Sequence, residues 1–394
     1  MGAMATDQRI IDTDTHIIED PNLWTDRLPA SWGDDVMHIE WDDATQQEYW
    51  ILANKKVRYA WGGAAYGWSL FDSTRPSTQA DCHPATYDQG ERVKLMDQWG
   101  IDVAVLYPNA AGFTFEPFIH FDAERALAHV RAYNDWLLEW VKSAPGRFIP
   151  MMVMPCWNVE HSVAEIERLA GAGFGGIVTT GAPQEHGLPF LRDPHWDPMW
   201  SAADRSGLSV SFHVANGSNS ADLDPKRAVL ESADIKEARA STGMYLENAK
   251  QVTDLLLSGI LARYPNLHFA SVESGMGWVP FILDNIDQRF KRNLVSTKHP
   301  EFGDMLPSDL FKRQVHVNFW FEELNDFHIE KIGLESLLFE TDFPHPTGIY
   351  NETFQDTLDV ALSKQPDDVR QAVLWDNGAR LYRNALEVQG VRVS

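Results

Sequence analysis

Eight apolar runs of strand length recur along the chain, at residues 10–14, 103–108, 148–155, 176–180, 208–213, 267–273, 315–321 and 337–342. Most lack polar–apolar alternation, the pattern of strands covered on both faces. Between them, residues 122–143, 159–169, 197–206, 242–262, 278–292, 327–332 and 354–361 space Leu, Ile, Val and aromatic side chains at the helical period. Strand and helix thus alternate as successive βα units with right-handed crossovers, and the fold class predicted is α/β, a (β/α)8 TIM barrel. A doubly wound sheet would alternate in the same way. It lacks support, because no Gly-x-Gly-x-x-Gly follows the first strand.

The first two barrel strands lie too far apart for a single helix. In that gap Tyr49-Trp50-Ile51-Leu52 and Val57-Arg58-Tyr59-Ala60-Trp61 flank Asn54-Lys55-Lys56 as the arms of a β-hairpin would, and a Gly-rich loop follows at 61–67. Residues 40–89 therefore read as an insertion, placed to cover the mouth of the site or to serve as an oligomer contact. At 394 residues the chain is longer than a barrel core needs, so residues 5–394 read as one barrel domain carrying that insertion.

Four of the runs deliver side chains that bind metal or carry protons. The first gives Asp12-Thr13-Asp14-Thr15-His16, the fifth ends at His213, the sixth at Glu273 and the eighth at Asp342. The C-terminal ends of barrel strands form the catalytic face, so these residues converge on one rim. Asp14 and His16, two apart on an extended strand, point the same way. With His213 and Asp342 they make a ligand set for one divalent ion, with zinc suited to mixed His and carboxylate donors and manganese the alternative that carboxylates favour. A buried Asp–His hydrogen bond, a core histidine and a turn-capping Asp are the structural alternatives at these positions.

Asp342 doubles as a candidate general base, and His213 as a catalytic as well as a ligating residue. Glu273 has three open roles: ligand, catalytic acid or base, or a residue that holds a ligand. His345, after the Pro344 turn, is placed to orient Asp342 or to touch substrate. Trp278 and Trp320 are the candidate substrate-binding aromatics, although with 15 Trp in the chain most must be packing residues. No Gly-x-Ser-x-Gly elbow is present, so covalent nucleophilic catalysis has no support.

Charge narrows the partners. With 33 Lys and Arg against 57 Asp and Glu, the net charge is −24, a surface that repels nucleic acid and anionic membrane. Two cysteines without a framework of spacings suggest a reducing compartment, and the first residues lack the basic and apolar regions of a signal peptide, so a cytoplasmic location is expected.

Asp14-Thr15-His16, His213, the turn Glu273-Ser274-Gly275-Met276-Gly277-Trp278-Val279-Pro280, the segment from Leu338 to His345 and the closing Asp376-Asn377-Gly378-Ala379-Arg380-Leu381-Tyr382 together resemble the amidohydrolase-related family. Arg92 to Asp102 is similar to that family's first helix and turn. The family includes decarboxylases of aminocarboxymuconate semialdehyde, γ-resorcylate and carboxyvanillate. The resemblance implies a metal-dependent non-oxidative decarboxylase acting on an aromatic or unsaturated acid, assembled as a homodimer or larger homo-oligomer. Two positions depart from the family pattern: Asp14 stands where the first-strand motif commonly has histidine, and Glu273 where the sixth strand generally ends in histidine. The second change favours the alternative reaction, hydrolysis of an amide, lactone or C–C bond by metal-activated water with Asp342 as base.

Overall fold

Every run predicted as a strand forms one, and all eight pair in parallel. They are β1 (Ile11–His16), then β5 (Val103–Tyr107), β6 (Phe148–Val153), β7 (Gly176–Thr179), β8 (Ser209–His213), β9 (Phe269–Val272), β10 (Val315–Phe319) and β11 (Leu337–Phe339), in that spatial order. Past the end of β11 the chain returns to β1: Thr15 bridges Phe343, Asp342 N–H donates to Asp14 O at 3.0 Å, and His16 N–H donates to Phe343 O at 2.6 Å. The sheet is thereby closed into a (β/α)8 barrel. The computed structural model describes residues 8–68, 76–110, 112–113, 116–214, 232–348 and 354–393. The N-terminal residues read above for targeting features, and 69–75 of the insertion, lie outside the described residues.

The unalternating strand pattern has a simple cause. One face of each strand packs against the outer helices, and the other fills the barrel with Ile11, Val103, Val105, Ile149, Met151, Val178 and Val272. The barrel floor is closed from below by Trp375, Ala379, Tyr382 and Leu386. Their segment, Asp367–Val388, is a run of short helices that the sequence reading did not anticipate. Pro307–Gln314 was also missed: it buries only Leu310, Phe311, Pro307 and Gln314, too few apolar positions for a helical period to show. The helix expected at 242–262 begins at Ala233 and stops at Ser258, where Gly259 takes a left-handed φ of 78°.

The predicted hairpin is present, but its turn is Ala53-Asn54 rather than 54–56. Both turn residues have positive φ, 50° and 62°, as the type I′ turn between twisted strands requires. Its arms are β3 (Gln47–Leu52) and β4 (Lys55–Tyr59), joined by a third, unpredicted edge strand β2 (His38–Asp42). Trp50 anchors this small sheet by packing edge-on against Trp24, ring centroids 5.1 Å apart.

Candidate metal centre

The strand ends bring the four expected ligands together. His16 Nε2 lies 3.4 Å from Asp14 Oδ1 and 3.3 Å from Asp342 Oδ1, and His213 Nε2 lies 3.5 Å from Asp14 Oδ1. Glu273 joins them, with Oε2 3.7 Å from His213 Nδ1. One donor atom each from Asp14, His16, His213 and Glu273 fall within 4.8 Å of one another, and an overlapping group holds His16, Glu273, Asp342 and His345. The backbone is bent to aim them. The β1 pairing shifts register between Asp12 and Thr15, and Glu273 and Asp342 take left-handed φ values of 53° and 57°, which non-glycine residues adopt at a cost of about 1–2 kcal/mol.

The polar atoms here are left in a state that asks for a cation. His16 Nδ1 is 3.1 Å from Pro108 O, so that nitrogen carries the proton and the Nε2 lone pair faces two carboxylates. Asp14 Oδ1 and Oδ2, His16 Nε2 and His213 Nε2 are buried and have no hydrogen-bond partner. Burial, then the neighbouring Glu340, Asp342 and Glu273, push the Asp14 carboxyl well up. Burial, then Asp342 and Glu340, do the same to Glu273. Burial and the adjoining His345 hold His16 down at about 4, so the imidazole stays neutral and able to ligate. Asp342 is the exception. Burial alone would raise it, yet the adjoining His345 holds it below the usual carboxylate range. Buried charges of one sign need a counter-ion, and this His–carboxylate set fits a divalent one.

Residues 11–384 match the amidohydrolase family profile. The chain belongs to the amidohydrolase family. It is 26% identical over 309 residues to a γ-resorcylate decarboxylase of Polaromonas sp. strain JS666, an alignment covering 75% of this chain and 87% of that one. Its fold is similar to that of an amidohydrolase from Mycobacterium avium subsp. paratuberculosis (TM-score 0.74, 19% identity, 96% of this chain and 100% of that one). A similar structure is a dihydroxybenzoic acid decarboxylase from Polaromonas sp. JS666 with bound manganese and the inhibitor 2-nitroresorcinol (TM-score 0.64, 20% identity, 96% and 97% covered).

In this amidohydrolase a second ring of side chains surrounds the centre. Arg92 donates through Nη2 to the His16 carbonyl at 2.8 Å and through Nε to Ala85 O at 2.5 Å, tying the end of β1 to the first outer helix, Gln89–Trp99. His345 Nδ1 sits 3.2 Å from Asp342 Oδ1, and its Nε2 is 3.3 Å from Asn109 Oδ1. The buried Glu19 accepts from Asn109 and Ala110 N–H at 2.8 and 2.9 Å, which fixes that loop. Phe113 stacks on His213, centroids 3.7 Å apart and planes 16° apart. The two expected aromatics are less direct. Trp278 donates its indole N–H to Ser274 O at 3.0 Å, and Trp320, 1% exposed, donates to Thr347 O at 3.2 Å.

Three participants were not singled out in the sequence. Thr347 Oγ1 bonds to Glu273 Oε1 at 3.0 Å and, more closely, to Asp342 Oδ2. Glu340, fully buried, accepts from Glu273 N–H at 3.3 Å. Phe113 completes the set. Glu340 had a readable sign, an acid inside an apolar strand two residues before Asp342. Thr347 and Phe113 had none, since loop residues carry no periodicity.

Proposed function

We propose that this amidohydrolase is a metal-dependent, non-oxidative decarboxylase of an aromatic or unsaturated carboxylic acid. The observation that carries this reading is the Thr347 hydroxyl held between Glu273 and Asp342. A hydroxyl has one proton to donate, so if Thr347 serves one carboxylate the other contact must be made by a protonated carboxyl. Burial and the carboxylate neighbours raise Glu273, which supports its holding that proton, while the adjoining His345 supports an ionised Asp342. Two carboxyls with separated proton affinities in one site are the arrangement of an acid beside a permanent anion.

Asp14, His16, His213 and Asp342 would hold the ion. Held there, it would supply Lewis-acid chemistry towards an anionic substrate. Glu273 delivers its proton to the carbon that bears the carboxylate. The C–C bond then breaks, its electron pair returns to the ring or alkene, and carbon dioxide departs. Asp342 keeps its charge throughout and, through Thr347, holds the Glu273 proton in place. His345 and Phe113 offer flat faces to a planar substrate, whereas Trp320 and Trp278 act from behind, through Thr347 and Ser274. The names of the γ-resorcylate and dihydroxybenzoate relatives support an aromatic substrate.

Imidazole donors suit zinc and the carboxylates suit manganese, and elemental analysis of protein purified without chelator distinguishes them. The 40–89 insertion is read as a cover for the site, supported by Ala65 N–H donating to Pro344 O at 2.9 Å and Arg58 donating to Asn109 O at 2.7 Å. Homodimeric or larger assembly, on the family resemblance, and a cytoplasmic location, on the two cysteines without a pairing framework, complete the reading. No helix among the described residues is long and apolar enough to cross a membrane.

The test is a panel of hydroxybenzoates and lactones offered to metal-loaded protein, following carbon dioxide against acid release. Carbon dioxide from a hydroxybenzoate, lost in Glu273→Gln with metal retained, is the expected result. Acid release from a lactone without carbon dioxide overturns it.

A further inference from the structure

We infer that Glu322 is a positioning residue for Glu273: its carboxylate clamps the 273–278 turn and so sets the direction in which Glu273 presents its carboxyl. The inference rests on the reading of Glu273 as the catalytic acid.

Glu322 lies just beyond β10, while the turn follows β9. Its Oε1 accepts from Gly277 N–H at 2.7 Å and from Met276 N–H at 3.0 Å, and its Oε2 accepts from Met276 N–H at 3.0 Å. Those N–H groups lie in the turn just before Trp278, the N-cap of the helix Val279–Arg292, near the end of the helix whose dipole favours an anion. Such a cap could serve stability alone, but the shape of this turn says more. Glu273 and Gly275 both take left-handed backbone, φ 53° and 70°. A non-glycine residue persists in that region only where its surroundings fix it from several sides. Three contacts do so here. Glu340 takes the Glu273 N–H at 3.3 Å, Ser271 Oγ holds Ser274 Oγ at 2.8 Å, and Glu322 holds the far end. Clamp and turn also fit sterically. A Cβ on Gly275 would stand 2.9–3.1 Å from the Glu322 carboxyl group, so an alanine there pushes that carboxyl group off its seat, beyond the strain that the φ of 70° already imposes on a side chain. Glu322 itself belongs to neither group of metal-ligating atoms, so its removal should leave the ion in place.

The test compares Glu322→Ala, Glu322→Gln, Gly275→Ala and the Glu322→Ala/Gly275→Ala pair as full-length, metal-loaded enzyme, beside Glu273→Gln. For Glu322→Ala, kcat is expected to fall on the order of 10- to 100-fold, the cost of an ångström-scale misplacement, with KM and metal per subunit unchanged. Glu322→Gln, which keeps one acceptor oxygen, is expected to recover part of that loss. The pair is expected to lose less than the product of its single losses, because the Gly275→Ala collision disappears with the carboxylate. A Glu322→Ala enzyme that melts earlier but turns over normally at temperatures where it is folded would overturn the clamp and leave a plain helix cap. Multiplicative losses in the pair would overturn it as well. If Glu322→Ala does not fold, Glu322→Gln and Gly275→Ala carry the same kcat-against-KM comparison. A fully active Glu273→Gln overturns the acid assignment itself, whereas an inactive Glu273→Gln beside a fully active Glu322→Ala overturns only the clamp.

Discussion

His345 lies flat on His16, ring centroids 3.6 Å apart and planes inclined by 18°. The same His345 ring reaches Asp342 through Nδ1, so one side chain steadies two of the proposed ligands at once. Outer partners of this kind typically contribute 10- to 100-fold in activity or metal affinity. His345→Ala is therefore predicted to lower kcat by about that factor while most of the metal stays bound. Steady-state kinetics beside elemental analysis checks it, and unchanged kcat would remove His345 from the site.

His213→Ala is predicted to lose most of the bound ion, because a methyl group cannot replace an imidazole donor buried between Asp14 and Glu273. Asp342→Asn should differ. Its amide oxygen can still ligate weakly, but it brings no charge to keep the Thr347 hydroxyl turned towards it, and no base. Metal retained with turnover lost is the expected outcome. Near-normal kcat in Asp342→Asn would overturn the role given to Asp342 in both reactions considered.

A second histidine pair, at the opposite end of the barrel, makes a prediction about pH. His268 Nδ1 and His316 Nε2 are 3.1 Å apart at the starts of β9 and β10, facing Arg313, Arg380 and the Glu335 backbone. Burial and then His268 push His316 down to about 3, and burial followed by Arg380 and Arg313 pushes His268 down. Depressed folded-state values mean that the unfolded chain binds protons the folded one refuses. This contribution to stability is whole above pH ~6.5 and is lost as pH falls from there towards about 3. His316→Gln is predicted to flatten the pH dependence of unfolding free energy below pH ~6.5, by an amount that approaches about 1.4 kcal/mol per pH unit near pH ~5. Denaturant melts at several pH values decide it, and parallel curves for the two proteins would count against it.

How much of this could be read from the chain depended on periodicity. The barrel was legible because strands covered on both faces leave unbroken apolar runs, and the ligands were legible because Asp14, His213 and Asp342 interrupt or end such runs. The edge strand His38–Asp42 was not, since it is largely solvent-facing and carries His, Glu and Asp. Pro307–Gln314 failed for want of apolar positions. Thr347 failed for a different reason: it reaches Glu273 only because the chain folds back after Pro344, and a contact made by loop closure leaves no pattern in sequence. Glu322 was visible as a polar residue near a strand end, but its partners are backbone N–H groups on another turn, which sequence does not reveal.

The insertion offers the remaining prediction. Gly63, in the Gly-rich loop after β4, packs so closely on the second ring that a Cβ there would overlap Asn109 Oδ1 and stand 3.0 Å from the His345 ring. If residues 40–89 cover the site, Gly63→Ala must displace Asn109 or His345, and the displacement is transmitted to Asp342 through the His345 contact. KM is predicted to rise or kcat to fall severalfold, with metal content unchanged. The comparison is Gly90→Ala, in the helix Gln89–Trp99, where the new Cβ would meet only Asp88 at an ordinary 3.4 Å. Within a helix that change is worth roughly 0.5–1 kcal/mol of added stability and nothing in catalysis. Equal kinetics for the two variants would show that the insertion does not act on the site through Gly63.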